Sequence, residues 1–355
     1  MNDLRPIIKQ SPPVDVTKPY DPSSLRNKFI LITGGANGLG AHMVRHWAAH
    51  GAHVLVGDID DKAGEKLVAD LTSMYGKNSQ QVFGYSRCDV TVWEDQVALF
   101  EEAARLSPSG VINVVVPNAG VLLPRESLKF ENPSLVDGKI PRPNTLQLDV
   151  NITGVTYTTH LALHYLTVGG GTTKAQDSSI SRDRTILLIG SLASVAPLPG
   201  QVQYTMSKHA VAGLFRALRA TSFPHGIRVN MLAPYYVAQT NMLNPVHEAF
   251  FLAGSAGPAR VPDVIDAATR LVADESISGR SLMIGPRLKD GVQGEVEVGP
   301  EEGDGEGRAV WDCYTDDYDA VESFRWRYVN AVNAVAAARG MFAWVVDIWS
   351  ILRRR

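Results

Sequence analysis

Continuous apolar runs alternate with helix-like patterns along this chain, and this alternation limits the possible folds more than any other feature. The runs predict strands at 28–34, 52–60, 81–90, 111–120, 184–191, 226–234 and 279–285. The predicted helices between them include 39–51, 62–76, 92–106, 146–166 and 203–222. Strands that are buried on both faces and separated by helices are typical of a parallel sheet covered by helices. We therefore predict an α/β fold, a doubly wound parallel sheet in a single domain.

The bulk composition excludes several classes of partner. The chain has 355 residues, 45% of them hydrophobic and 20% charged, as in soluble globular proteins. A net charge of −3 offers no basic surface, so no nucleic-acid partner is expected. Cys88 and Cys313 lack further cysteines or histidines at ligand spacing, so neither a disulfide framework nor a metal site is expected. With no signal-like apolar segment at the start, we expect a cytoplasmic protein.

Three regions are predicted from these patterns. Residues 1–25 are polar and rich in proline and form an N-terminal arm, and residues 26–287 hold the α/β domain. Residues 288–355 begin with an acidic, glycine-rich linker and end in a helical extension. Within the domain, the glycine- and serine-rich segment 168–184 reads as a surface insertion.

A glycine-rich turn follows the first predicted strand. Gly34, Gly38 and Gly40 separate that strand from a helix, in the sequence TGGANGLG. One explanation is packing, because a tight turn needs the backbone freedom of glycine. The other is that a pyrophosphate lies against the turn, where the helix N-terminus offers free N–H donors and a partial positive charge.

An acidic residue ends the second predicted strand, 18 residues after Gly40. At that place Asp58 can accept hydrogen bonds from an adenosine ribose and repel a 2′-phosphate, which favours NAD over NADP. The alternative is that Asp58 caps the next helix, a task that Asp60 and Asp61 could share.

A tyrosine and a lysine lie four residues apart at the start of a predicted helix. Tyr204 and Lys208 therefore share a helix face, and Ser191 ends a strand 13 residues earlier. A nearby ammonium is expected to lower the tyrosine pKa, which suits a general acid or base toward a ketone or alcohol. Ser191 would hold the substrate oxygen. The alternative is an ordinary exposed helix.

Across residues 26–287 these features, in this order, resemble the short-chain dehydrogenase/reductase family, whose domain is of the Rossmann type. The resemblance implies the catalytic residues Asn151, Ser191, Tyr204 and Lys208. Lys208 and Tyr204 would also contact the nicotinamide cofactor. The other implied cofactor-binding residues are Gly34, Asn37, Gly38, Leu39, Gly40, Asp58, Asp89, Val90, Asn118, Ala119, Gly120, Pro234, Val237 and Thr240.

The chain departs from the family pattern at three places. Pro117 precedes Asn118 where the family often has asparagine, Tyr235 replaces a glycine, and Thr240 comes one residue late. The fragment DDY at 316–318 resembles the fungal secondary-metabolism branch, whose members are similar to hydroxyaverantin and hydroxyprostaglandin dehydrogenases.

The resemblance implies an NAD(P)-dependent oxidoreductase acting on an apolar or aromatic secondary alcohol or ketone, in secondary-metabolite biosynthesis. The alternative is a non-redox use of the fold, as an isomerase, a cyclase or a cofactor-sensing regulator. The apolar residues Met242, Leu243, Phe250, Phe251 and Leu252 either cover the substrate or pack into the core.

Two further expectations concern larger partners. The apolar helices 146–166 and 203–222 predict a homodimer or homotetramer. The C-terminal segment 329–352 either packs against its own or a partner subunit, or lies on a membrane surface with the help of Arg353 to Arg355. A transmembrane span is disfavoured by its polar residues.

Overall fold

A computed structural model of the chain describes residues 5–76, 80–168, 183–237, 240, 257–290, 296–298, 307–313, 328–335 and 337–338. Within these residues nine strands form one sheet. The strands are β1 (Phe29–Thr33), β2 (His53–Asp58), β3 (Phe83–Arg87), β4 (Val114–Pro117), β5 (Arg184–Ile189), β6 (Ile227–Pro234), β7 (Ser281–Asp290), β8 (Val296–Val298) and β9 (Arg308–Asp312).

Helices follow most of the strands. They are α1 (Gly38–Ala49), α2 (Asp61–Leu71), α3 (Trp93–Leu106), α4 (Pro124–Glu131), α5 (Leu146–Leu148), α6 (Val155–Val168), α7 (Val202–Leu218) and α8 (Val261–Ala273). A π-helical turn, Asp149–Gly154, joins α5 to α6, so the predicted helix 146–166 is one rod with a widened turn inside it. The sequence pattern did not predict α4 or α8.

The sheet has the doubly wound topology that the sequence predicts. Its strand order is β3-β2-β1-β4-β5-β6-β7, and all of these neighbours are parallel. The order reverses between β1 and β4, and ligands of such sheets bind at the carboxyl ends of the strands beside that reversal.

Burial explains why the central strands read as continuous apolar runs. Every residue of β1 and of β6 is buried, because helices cover both faces of the sheet. On one face, Trp47 of α1 packs into the core and donates a hydrogen bond to Thr269 of α8 at 3.0 Å. By contrast, β3 is partly exposed because it pairs with β2 alone and forms the edge.

The sheet continues beyond the predicted domain end at residue 287. Strand β7 runs to Asp290, and β8 and β9 both pair with it antiparallel. The region predicted as a linker and helical extension therefore contributes strands to the main sheet, and the consecutive apolar residues Ala309 and Val310 of β9 are buried against it. The predicted insertion lies outside the described residues, apart from residue 168 at the end of α6 and 183–184 beside and within β5.

The N-terminal arm is attached to the domain over most of its described length. Ser11 exchanges hydrogen bonds with Ser278, and Ser24 donates to the carbonyl of Ala273 at 2.7 Å. Ile8 is buried against Ala220 and also against Val329, which belongs to the helical stretch 328–335. For that stretch, packing against the chain itself is observed. Residues 339–355 lie outside the described part.

A buried ion cluster lies at the amino ends of the central strands, opposite the edge of the sheet where ligands are expected to bind. Asp183, just before β5, accepts from Lys28 and from Arg228 of β6, each at 2.7 Å. The side chains of Lys28 and Asp183 are 1% and 4% exposed. Burial alone would raise the pKa of Asp183, but hydrogen bonds and attraction from Arg228 and Lys28 outweigh it and lower that pKa. The cluster holds the starts of β1, β5 and β6 together.

Replacing Asp183 with asparagine should destabilise the fold by about 3–5 kcal/mol, because two buried cations lose their shared anion. The free energy of unfolding is measured by denaturant titration. Asp70→Asn is the matched control, since Asp70 pairs with Lys66 at the surface and should change little. A loss below about 1 kcal/mol for Asp183→Asn would contradict a structural role for the cluster.

Candidate active site

One cavity of about 470 Å³ lies at the carboxyl ends of β1, β4 and β5. All predicted catalytic and cofactor-binding residues except Asn151 line this cavity. The predicted residues come from distant parts of the sequence, and the fold brings them together around one cavity.

The glycine turn has packing reasons of its own. A Cβ on Gly40 would lie 2.2 Å from the carbonyl oxygen of Gly34, and a Cβ on Gly34 would lie 2.6 Å from the Cα of Ala119. Gly34 also has a φ of +62°, which disfavours other residues. The packing explanation is therefore correct for these two glycines, and it leaves room for the second explanation as well.

The start of α1 beside this turn is built to accept an anion. The residue before the helix, Asn37, makes no capping hydrogen bond, and its side chain donates to Asp60 instead at 3.0 Å. Gly38, Leu39 and Gly40 of the first turn line the cavity, and that turn carries no acidic side chain. Free N–H donors and the helix dipole favour a phosphate at this point. These residues fit the pyrophosphate of a dinucleotide.

Asp58 sits at the cavity edge with its carboxylate fixed by the backbone. Its oxygens accept from the N–H groups of Ala36 at 2.9 Å and Asp60 at 3.1 Å. The cap of α2 is Asp60, which accepts from Ala63 at 3.0 Å. Asp58 therefore does not cap the helix, which removes the alternative explanation for its position.

Asn118 joins the two strands that flank the reversal in strand order. Its amide nitrogen donates to the carbonyl oxygens of Thr33 at 3.1 Å and Gly34 at 2.7 Å. In return, the Thr33 hydroxyl accepts from the N–H groups of Asn118 and Ala119. The contacts fix the end of β4 against the glycine turn.

Thr240 lines the cavity beside the start of α1. Its carbonyl oxygen would lie 3.2 Å from a Cβ on Gly38, so Thr240 lies over the glycine turn. Its hydroxyl donates to the carbonyl of Val237 at 2.9 Å. The one-residue displacement noted in the sequence therefore does not remove Thr240 from the cavity wall.

Asn151 lies behind the cavity wall. Its amide accepts from the N–H of Val121 at 2.8 Å and donates to the carbonyl of Val121 at 2.9 Å. It also donates to the hydroxyl of Ser207 at 3.1 Å. Asn151 belongs to the π-helical turn, a local geometry that is frequent at functional sites.

Ser191 begins a short turn that is tied to the catalytic helix. Its hydroxyl accepts from the N–H of Ala193 at 3.2 Å. The Ser194 hydroxyl accepts from the N–H of Ser191 at 3.1 Å and donates to the carbonyl of Lys208 at 2.9 Å. These bonds hold Ser191 at a fixed place relative to α7.

Tyr204 and Lys208 are both buried in the site, at 7% exposure each. The Lys208 Nζ lies 5.7 Å from the centroid of the Tyr204 ring and donates to the carbonyl of Ile189 at 2.9 Å. Burial raises the pKa of Tyr204, and a hydrogen bond with Ser191 opposes that rise. Burial lowers the pKa of Lys208 to about 8.

These directions correct one sequence-based expectation. A lowering of the Tyr204 pKa by Lys208 was expected, yet in this geometry burial has the larger effect on both groups. At neutral pH the phenol therefore keeps its proton and is ready to donate it to a developing oxyanion. The same phenol becomes the base for an alcohol when its proton leaves.

Several cavity residues carry no motif and were missed by sequence reasoning. They are apolar or aromatic and line the same cavity as the catalytic residues: Val121, Leu122, Leu123, Val150, Leu192, Leu198, Tyr235 and Tyr236. Five of them directly follow or precede a predicted site residue, which is a signal that could have identified them. The segment from Met242 to Leu252, predicted to cover the substrate or pack in the core, lies outside the described residues.

Two further features are absent from the described part of the chain. No group of three or more His, Cys, Asp or Glu side chains there could hold a metal ion. Nor is any described helix both long and apolar enough to cross a membrane.

Comparison with known proteins adds independent information. The family described as short chain dehydrogenase matches residues 28–249. A 5′-hydroxyaverantin dehydrogenase from Dothistroma septosporum is 34% identical over 79% of this chain and 91% of that protein. A second 5′-hydroxyaverantin dehydrogenase, from Emericella nidulans, is 33% identical over 81% of this chain and 93% of that protein.

A solved structure is similar in fold. It is a 3-ketoacyl-(acyl-carrier-protein) reductase from Brucella melitensis, complexed with NADH, with a TM-score of 0.58. The match covers 73% of this chain and 97% of that chain, at 24% sequence identity. At this identity the similarity supports the architecture of the sheet and its helices.

Proposed function

Because this chain belongs to the short-chain dehydrogenase family, we propose that it transfers a hydride between NAD and an apolar or aromatic secondary alcohol or its ketone. The observation that carries the proposal is the cluster of Ser191, Tyr204 and Lys208 in the cavity that also contains the glycine turn. The nicotinamide supplies or accepts the hydride when it is bound. The chain's own residues bind the substrate oxygen and move its proton.

Each catalytic side chain has a separate task in this proposal. Ser191, fixed by its turn, donates a hydrogen bond to the substrate oxygen where negative charge develops. Tyr204 gives its proton to that oxygen in ketone reduction and takes it back in alcohol oxidation. Lys208 contributes positive charge beside the ring and binds the cofactor ribose. Asn151 keeps Val121 and Ser207 in place around them.

The apolar cavity residues support the proposed substrate class. The cavity that contains Ser191 and Tyr204 is also lined by aliphatic and aromatic side chains, among them Leu122, Leu123 and Leu192. Such a wall gains free energy by removing apolar ligand surface from water. Two relatives are named as dehydrogenases of a hydroxylated compound, 5′-hydroxyaverantin. We propose by analogy that the product belongs to secondary metabolism.

Tyr204→Phe should lower kcat by about 10²–10⁴-fold and leave NAD(H) affinity within about twofold, because it removes the proton donor and keeps the ring. Lys208→Ala should weaken NAD(H) binding as well, since it removes a charge beside the cofactor. The measurements are steady-state kinetics and cofactor titration for both variants. Near-wild-type turnover by Tyr204→Phe would favour a non-redox use of the site, as an isomerase or cyclase.

The acidic edge of the cavity supports a preference for NAD over NADP. Asp58 holds its carboxylate beside the place proposed for the adenosine ribose, and Asp60 and Asp61 add negative charge. Arg87, the nearby cation, is engaged by Asp61 at 3.0 Å and by the carbonyl of Ile59 at 2.8 Å. A 2′-phosphate would meet these carboxylates at short range, and a ribose hydroxyl would donate to Asp58.

Asp58→Asn should reduce the preference for NAD over NADP by about tenfold, because it removes the charge and keeps an oxygen acceptor for the backbone. Asp58→Ala removes the charge and also the hydrogen bonds to Ala36 and Asp60. Comparing the two variants therefore distinguishes the effect of the charge from the effect of these loop contacts. The readout is the ratio of the two dissociation constants. Tighter NADP binding by the wild-type protein would contradict the proposal.

We also propose a homodimer or homotetramer. On the outer surface of α3 and α6, Trp93 is 36% exposed and lies 5.2 Å from the ring of Tyr157, while Val92 is 39% exposed. Neighbouring exposed apolar residues of this size are typical of an interface.

Sedimentation at micromolar concentration should therefore give an oligomer for the wild-type protein. Trp93→Glu should shift it toward the monomer, and folding should be retained because an acidic residue suits the first turn of α3. A wild-type monomer at that concentration would contradict the proposal.

A further inference from the structure

A buried glutamine that no motif contains contacts the cavity wall from behind. Gln147 of α5 has no exposed surface, and its amide oxygen accepts a hydrogen bond from the N–H of Leu123. Leu123 lines the cavity and directly precedes α4, where its backbone begins the helix. The glutamine therefore holds the point at which the wall ends and α4 starts.

Gln147 and Asn151 act on the wall as a pair. They are four residues apart along the rod, and they hold Leu123 and Val121, which are two residues apart. Four residues of a helix rise about 6 Å. Two residues of extended chain span at most about 7 Å. Because these two lengths are similar, two amide side chains on one helix face can hold two neighbouring points of the wall, Val121 and Leu123.

The same arrangement connects the wall to the catalytic helix. Asn151 donates to the hydroxyl of Ser207, which in turn donates to the carbonyl of Tyr204 at 2.8 Å. Gln203, the residue before Tyr204, donates to the carbonyl of Asn144 just ahead of α5 at 2.8 Å. The distance between the wall and the Tyr204 phenol is thus set through hydrogen bonds on both sides of α5, a buried pair through Ser207 and a partly buried one at Asn144.

We propose that Gln147 is a positioning residue that holds the wall from Val121 to Leu123 at the separation from Tyr204 that the substrate requires. It sets the affinity for substrate and the discrimination between substrates of different width, and it leaves the cofactor site unaffected. This inference rests on the proposed oxidoreductase function. Its basis is the hydrogen bond to Leu123, since Gln147 itself is not part of the cavity lining.

A second buried glutamine provides a matched comparison. Gln96 of α3 also has no exposed surface, and it donates to the carbonyls of Val90 at 2.7 Å and Gly154 at 2.9 Å. Val90 lines the cavity beside Asp89, and both are among the cofactor-binding residues that the family resemblance implies. The two glutamines therefore support different parts of the cavity wall with the same side chain and the same burial.

The test compares Gln147→Met and Gln96→Met with the wild-type protein on a series of apolar secondary alcohols of increasing width. Gln147→Met should raise KM for the bulky alcohols about tenfold, because the N–H of Leu123 is left without its acceptor. Its NAD dissociation constant should stay within about twofold of the wild-type value. Gln96→Met should show the reverse, with weaker NAD binding and little change in KM.

Rescue separates positioning from general stability. Gln147→Glu keeps an oxygen for Leu123, and the amide nitrogen that it replaces has no hydrogen-bond partner among the described residues. This variant should regain most of the wild-type KM. Should Gln147→Met fail to fold, Gln147→Ala leaves space for a water that satisfies the N–H of Leu123, but no side chain then fixes the position of the wall, so KM should still rise with unchanged NAD affinity.

The outcomes distinguish this inference from the function on which it rests. If the wild-type protein oxidises no alcohol in the series and reduces none of the corresponding ketones, the proposed function fails. If the wild-type protein is active and the folded Gln147 variants keep its KM, the positioning role is overturned. Equal losses of substrate and NAD affinity in Gln147→Met, without rescue by Gln147→Glu, would also overturn it, because they indicate a structural role alone.

Discussion

One amide side chain joins the strand ends on either side of the reversal in strand order between β1 and β4. Asn118 donates to Thr33 and Gly34, and Thr33 accepts from the chain after β4, so both strand ends and the glycine turn form one unit. The cavity opens at this unit, with the uncapped start of α1 on one side and α7 on the other. The proposed dinucleotide and the catalytic side chains share a site because these contacts bring the strand ends together.

The sequence predicts much of this fold because its signals are local. Buried strands appear as apolar runs, and the glycines, Asp58 and the pair of Tyr204 and Lys208 occupy turns and helix starts with known geometry. The strands after residue 287 were less visible, since β8 and β9 are short and lie among acidic and glycine residues. The role proposed for Gln147 could not be predicted from the sequence, because it depends on a contact with Leu123, 24 positions away.

The pKa values show a second limit of sequence reasoning. Spacing places an ammonium near a phenol, but it does not state how deeply either is buried. In the structure burial raises the pKa of Tyr204 and lowers that of Lys208 to about 8, so desolvation decides both directions. The site therefore resembles a buried proton donor more than a preformed phenolate, with Tyr204 beside Ser191 and Lys208 held by the carbonyl of Ile189.

The central claim is that a hydride moves between the substrate's carbinol carbon and a nicotinamide cofactor. The most direct measurement incubates the wild-type protein with NAD and apolar or aromatic secondary alcohols that carry deuterium at the carbinol carbon. Mass spectrometry of the recovered cofactor should show reduced NAD that contains the deuterium, and the ketone should accumulate in equal amount. Conversion of the alcohol without deuterium in the cofactor would contradict the account.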